Sequence, residues 1–124
     1  MVTSTEISLY IHIPFCKHKC PYCHFYVIGD KECFKQQLLE GLKTEWAMIA
    51  PHFEGKKLVS VYFGGGTPTL FGPKRIAEVL SWLPDHSEAE ITIETNPEEL
   101  SDYSQWRDIG INRISLGVQS LSSN

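Results

Sequence analysis

LYIHIPFCKHKCPYCHFY, residues 9–26, joins two patterns that settle the kind of chain this is. Its first residues alternate, with Leu9, Ile11 and Ile13 on one side and Tyr10 and His12 on the other, which is the period of a β-strand. The remainder is a loop with three cysteines, Cys16, Cys20 and Cys23, spaced CxxxCxxC. A 4Fe-4S cube has four irons, so three thiolates on one loop leave one iron open to a ligand that is not protein. A structural zinc ion is instead closed by four ligands, usually in two separated pairs. The spacing therefore suits a cluster better than zinc. Zinc assisted by His12, His18 or His24, and a loop without metal, are the alternatives. His18 and His24 read as loop surface and His12 as a residue of the polar strand face. Lys17 and Lys19 beside the thiols favour the thiolate form that metals bind.

Outward from this stretch, strand and helix alternate. The first strand covers Ile7 to Ile13, and after the loop and a Gly29-Asp30 turn, Phe34, Leu38, Leu42 and Trp46 recur every four residues, with Leu39 and Ile49 widening the stripe. That spacing predicts a helix of about four turns, ended by Pro51 and Gly55. Cys33 opens this helix and reads as a partly buried small hydrophobe, not a ligand. Leu58 to Phe63 is a second strand running into Gly64-Gly65-Gly66. Pro73 starts a second helix through Ile76, Ala77, Val79, Leu80 and Leu83, stopped by Pro84. Glu90 to Thr95 is a third strand. Ser101 is the expected N-cap of a short helix through Trp106 and Ile109 that Gly110 closes. Arg113 to Val118 is a fourth strand. Alternating β and α with short connections implies parallel strands.

The two faces of these strands differ in polarity. Leu9, Ile11, Ile13, Val59, Val61, Phe63, Ile91, Ile93, Ile114, Leu116 and Val118 form an apolar face for the helices to cover. Tyr10, His12, Ser60, Tyr62, Thr92, Glu94, Arg113, Ser115, Gly117 and Gln119 form a face too polar for a second helical layer, as a doubly wound sheet would need. The expected fold is α/β, a partial (β/α) TIM-like barrel of about four parallel β/α units with a wet interior face. Four strands do not close a barrel, so residues 1–124 are expected to be the N-terminal part of a larger core domain, with the remaining barrel and a C-terminal domain absent.

The unusual motifs follow the strands, at the barrel end where active sites collect. The cysteine loop follows the first strand, FGGGTPT the second, Glu94 and Asn96-Pro97 end the third, and Gln119-Ser120 the fourth. Consecutive glycines let a backbone approach a ligand closely, and their N–H groups can face an anion; a purely structural turn is the other reading. Thr69 stands where a dinucleotide fingerprint needs its third glycine, and no Gly-Lys-Ser/Thr follows, so neither phosphate motif is present. Glu94 places a carboxylate inward, able to accept from an amine or a ribose hydroxyl, and Gln119 shares that geometry; each could equally be a solvated residue. Tyr22 could lay its ring against a bound adenine or simply pack the loop.

Together, the CxxxCxxC loop, GGGTP, the glutamate of IETNPE and SLGVQS resemble the radical S-adenosylmethionine superfamily. LYIHIPFC, YFGGGTPT and RISLGVQS resemble, within it, the oxygen-independent coproporphyrinogen III oxidases and their haem-chaperone relatives, from about Leu9 to Gln119. The resemblance implies a 4Fe-4S cluster on Cys16, Cys20 and Cys23, with the open iron chelated by S-adenosylmethionine, whose carbon-sulfur bond is cleaved by one electron to a 5′-deoxyadenosyl radical. It implies that Tyr10, Tyr22 and Glu94 contact that molecule, and that Gly65, Gly66, Thr67 and Gln119 match positions touching a second one in the oxidases. The oxidases carry another cysteine two residues beyond the third; Phe25 stands here, which resembles the haem-chaperone branch, where haem is bound and passed on. The resemblance thus implies work in tetrapyrrole metabolism, with haem or a porphyrinogen and an electron donor protein as partners. A true oxidase, a non-enzymatic electron-transfer module, and an inactive truncated fragment are the competing readings.

Composition bounds the rest. The 124 residues carry 11 Lys and Arg against 15 Asp and Glu, a net charge of −4, which lacks the basic excess of a nucleic-acid binder. No apolar run approaches the roughly 20 residues of a membrane span, and MVTSTEIS is not built as a signal peptide, so a cytoplasmic location with free thiols is expected.

Overall fold

The structure, a computed structural model, describes residues 6–16, 28–29, 32–97 and 102–117. Its main sheet has four strands in the order β1-β4-β5-β6, comprising β1 (Glu6–Ile13), β4 (Lys57–Gly65), β5 (Glu90–Thr95) and β6 (Arg113–Leu116). All three pairings are parallel. Helices α1 (Glu32–Ile49), α2 (Pro73–Trp82) and α3 (Tyr103–Asp108) fall between successive strands of this sheet. The alternation read from the sequence is therefore the architecture observed.

Two short strands were not anticipated. Phe15–Cys16 (β2) pairs in parallel with Ile28–Gly29 (β3), Phe15 opposite Ile28 and Cys16 opposite Gly29. Gly29 is thus part of a strand pair, where the sequence suggested only a turn. The pairing brings together the two ends of the segment that carries Cys20 and Cys23.

The core lies on the helix side. Ile11, Ile13, Val61, Phe63, Ile91 and Ile93 from the strands pack with Leu39, Phe53, Ile76, Val79, Leu80 and Trp106. Burying each such side chain contributes about 1.5–3 kcal/mol, so this face holds the sheet to its helices. Two residues assigned to it depart. Leu58 is buried in place of Val59, because β4 carries one extra residue there: Ile7 pairs with Leu58 but Ser8 with Ser60, leaving Val59 as a bulge. Leu116, expected under a helix, is 51% exposed on β6, the outermost strand of the described sheet. Val118 lies outside the described residues.

Helix α1 is longer than the apolar stripe alone required. Leu39 is its buried apolar residue, while Leu38, Leu42, Trp46 and Ile49 are half-buried. Cys33 is exposed in its first turn, not partly buried, because the stripe faces the other way. The N-cap of α3 is Asp102, whose carboxylate accepts from the Ser104 N–H at 3.0 Å; Ser101, expected in that role, lies outside the described residues. No helix among the described residues is long and apolar enough to cross a membrane.

Candidate cofactor site at the strand ends

The polar face is built by register. Tyr10 of β1 lies opposite Tyr62 of β4, Tyr62 opposite Thr92 of β5, and Glu94 opposite Ser115 of β6. Side chains of paired strand residues point the same way, so one row of the sheet presents two tyrosines and the next presents the glutamate. The Tyr10 and Tyr62 rings stack with centroids 5.8 Å apart, and the Tyr10 hydroxyl lies 3.2 Å from His12 Nδ1. Tyr10 and His12 are exposed on this face, whereas Thr92 is buried.

Glu94 is held from two sides. Its Oε2 accepts from the Tyr62 hydroxyl at 2.7 Å and its Oε1 from the Gly65 N–H at 3.0 Å. A carboxylate offers about four lone-pair sites, so each oxygen keeps capacity for a further donor. Burial pushes the Tyr62 phenol above its ordinary range, the Ser115 hydroxyl opposes this, and the Glu94 carboxylate reinforces it. Burial, then Glu94, likewise raises Tyr10. Both phenols thus remain protonated donors at neutral pH. A group whose folded value is raised supports the fold below its unfolded value, near 10, and that support is lost as pH climbs through the folded value. In an alkaline absorbance titration, Tyr10 and Tyr62 are expected to ionise above the ordinary phenol value near 10, and Tyr62→Phe is expected to remove one late step. An early, uniform titration would contradict the arrangement.

The glycines act through space more than through their N–H groups. A Cβ on Gly65, whose φ is 122°, would sit 2.4 Å from the Ile13 carbonyl oxygen, and one on Gly64 would meet the Tyr10 and Tyr62 rings at 2.8–2.9 Å. The Gly65 N–H is given to Glu94, the Gly66 N–H to the Ile13 carbonyl at 3.1 Å, and the Thr67 N–H to the Phe15 carbonyl at 2.6 Å. These donors do not face a ligand anion, which corrects that part of the sequence reading. The turn is stitched to the chain leading into Cys16, and what it offers a ligand is its bare surface.

Gly65, Gly66, Glu94, Thr95, Asn96, Ser115 and Gly117 line a pocket of about 180 Å³ at this end of the sheet. Thr67 does not line it: it is buried, and its Oγ1 accepts from Asn96 Nδ2 at 3.3 Å. Behind it, the Thr69 and Thr95 hydroxyls meet at 2.9 Å. Of the residues expected to bind cofactor, Tyr10, Gly65, Gly66, Thr67 and Glu94 are brought to one end of the sheet, and the backbone of Cys16 begins the cysteine loop at the same end. Cys20, Tyr22, Cys23 and Gln119 lie outside the described residues. The sequence places Tyr62 on this face and gives it no role; its level with Thr92, one row below Glu94, is the available signal. Asn96, which the sequence places at this rim as the breaker of the third strand, also lines the pocket.

Comparison with known proteins identifies the family and the fold. A sequence model described as the radical SAM superfamily matches residues 10–124. The chain belongs to the radical SAM superfamily. It is 36% identical to heme chaperone HemW of Haemophilus influenzae, over 95% of this chain and 34% of that protein. It is 38% identical to heme chaperone HemW of Escherichia coli, over 98% of this chain and 34% of that protein. The solved structure of coproporphyrinogen III oxidase (HemN) from Escherichia coli, a radical SAM enzyme, superposes with a TM-score of 0.84 at 34% identity, covering 96% of this chain and 29% of that one. The chain spans about a third of the length of the curated relatives it matches. Its fold is that of part of the HemN structure, a partial TIM-like barrel.

Proposed function

We propose that this chain binds a 4Fe-4S cluster through Cys16, Cys20 and Cys23 and S-adenosylmethionine in the pocket at the strand ends, as the cofactor-binding part of a haem-chaperone-like protein of tetrapyrrole metabolism. The observation that carries the reading is Glu94, fixed by Tyr62 and Gly65 beside the bare glycine turn, at the same end of the sheet as Cys16. The residues fit: the pocket has a carboxylate with spare acceptor capacity, a hydroxyl on Ser115, and no Cβ on three of its seven lining residues. When bound, the cluster would supply the one-electron chemistry that protein side chains lack.

The chain's own residues bind and orient. Gly65 and Gly66 let a ligand lie against the backbone, Glu94 accepts from its amine or ribose hydroxyls, and the Tyr10 ring walls the polar face. Gln119 and Tyr22 complete the proposed contacts with S-adenosylmethionine. Haem chaperoning is favoured over oxidation because Phe25 occupies the position of the oxidases' further cysteine, and because the relatives named above include heme chaperones. Haem and an electron donor protein are the partners proposed, with a cytoplasmic location.

Anaerobic reconstitution tests this. The chain is expected to take up iron and sulfide, to absorb broadly near about 400 nm as iron-thiolate clusters do, and to change that spectrum when S-adenosylmethionine is added. Cys20→Ser should abolish the colour. A colourless chain that holds zinc, or a spectrum indifferent to S-adenosylmethionine, would overturn the proposal.

A further inference from the structure

The segment from Cys16 to Glu32 carries the second and third cysteines, and both of its ends are fastened to one short stretch, residues 67–75. At the leading end, the Phe15 carbonyl accepts from the Thr67 N–H at 2.6 Å, and the Phe15 ring stacks on Phe71 with centroids 6.0 Å apart and planes 17° from parallel. At the trailing end, Glu32 at the start of α1 accepts from Arg75 Nη2 at 2.7 Å. Arg75 is itself tied to the leading side: its Nη1 donates to the Phe71 carbonyl at 3.3 Å, and its guanidinium lies 5.8 Å from the centroid of the Phe71 ring. One side chain thus connects the exit of the cysteine segment to the aromatic pair that holds its entrance. The pairing of Phe15–Cys16 with Ile28–Gly29 closes the same ring of contacts.

From this geometry we infer that Arg75 is a positioning residue for the cysteine loop, latching its trailing end through Glu32 so that the two ends of the segment carrying Cys20 and Cys23 stay together. An arginine suits this work because its planar fork can serve a carboxylate and a carbonyl at once while its face rests on a ring. The ion pair itself is partly exposed, Glu32 being 75% accessible, and exposed pairs contribute little to global stability. What it changes is therefore local: how often the strand pair at the mouth of the loop opens, not whether the sheet folds. The inference rests on the proposal that this loop binds a cluster, but the latch is measurable without one.

The test uses the 124-residue chain with Arg75→Met, which keeps the stem over Phe71, with Glu32→Gln, which removes the charge and one acceptor and so also weakens the 3.4 Å contact from Lys35, and with the exchanged pair Glu32→Arg, Arg75→Glu. In metal-free protein, amide hydrogen exchange at Ile28 and Gly29 should accelerate severalfold in both single variants while Ile91 and Ile93 of β5 keep their rates. After reconstitution, iron should pass to a chelator severalfold faster from the single variants, and the exchanged pair should recover part of the loss. Unchanged exchange at Ile28 and Gly29, or equal acceleration in β5, would overturn the latch. Failure of the unaltered chain to take up a cluster would overturn the cofactor proposal instead and leave the exchange result to decide the latch by itself.

Discussion

Gly65→Ala is expected to cost the fold about 2–6 kcal/mol, the sum of about 1–3 kcal/mol for a side chain held at a left-handed φ and a similar amount for the clash it brings. The φ of Gly65 is 122°, and the new methyl carbon would stand 2.4 Å from the carbonyl oxygen of Ile13, a backbone atom that cannot step aside without breaking its bond to the Gly66 N–H. Relief would separate β1 from β4 at the end where the cysteine loop begins. Against a typical domain stability of about 5–15 kcal/mol, a loss of that size leaves a large unfolded fraction. Gly72 provides the comparison, since its φ of 93° is also left-handed but nothing lies within 4 Å of its Cβ position. Gly72→Ala should therefore show the backbone cost alone. Urea unfolding of both variants checks the difference, and equal midpoints would mean that the approach of Ile13 to Gly65 is not as tight as described.

Replacement of Glu94 is expected to have the largest effect on ligand binding. Glu94→Ala removes the acceptor of both the Tyr62 hydroxyl and the Gly65 N–H, and an unsatisfied group in a partly buried setting costs about 1–3 kcal/mol. Glu94→Gln retains one carbonyl oxygen and the shape, so it should fold nearly as well while losing the charge and one acceptor. Affinity of the reconstituted chain for S-adenosylmethionine should fall about tenfold or more in the Gln variant, a change of about 1.4 kcal/mol, and further in the Ala variant. Equilibrium dialysis measures both. If the Gln variant binds as the unaltered chain does, Glu94 organises the turn and touches no ligand.

The order of strands and helices was legible because it rests on periodicity and on breakers: Ile91 and Ile93 alternate with Thr92 and Glu94, and Pro73 and Pro84 bracket α2. The candidate site was legible in part, because strand alternation assigns Tyr10 and Glu94 to one face whatever the details. What escaped was whatever depends on register between strands. Val59 keeps perfect phase with Val61 in the sequence, yet a bulge shifts it and Leu58 takes the core position. The destination of the Gly65 N–H could not be read either, since it depends on Glu94 reaching across from the neighbouring strand. The β2 and β3 pair is two residues long on each side, too short to leave a periodic trace.

That single surplus residue at Val59 has a wider meaning. Below it the sheet counts in one frame, with Ile7 beside Leu58; above it the count is offset by one, with Tyr10 beside Tyr62 and Ile13 beside Gly65. Both frames feed the core, Leu58 from below the surplus residue and Ile11, Ile13, Val61 and Phe63 from above it; the extra residue lets Leu58 and Val61, an odd number of positions apart, both face the helices while Tyr62 keeps to the other side.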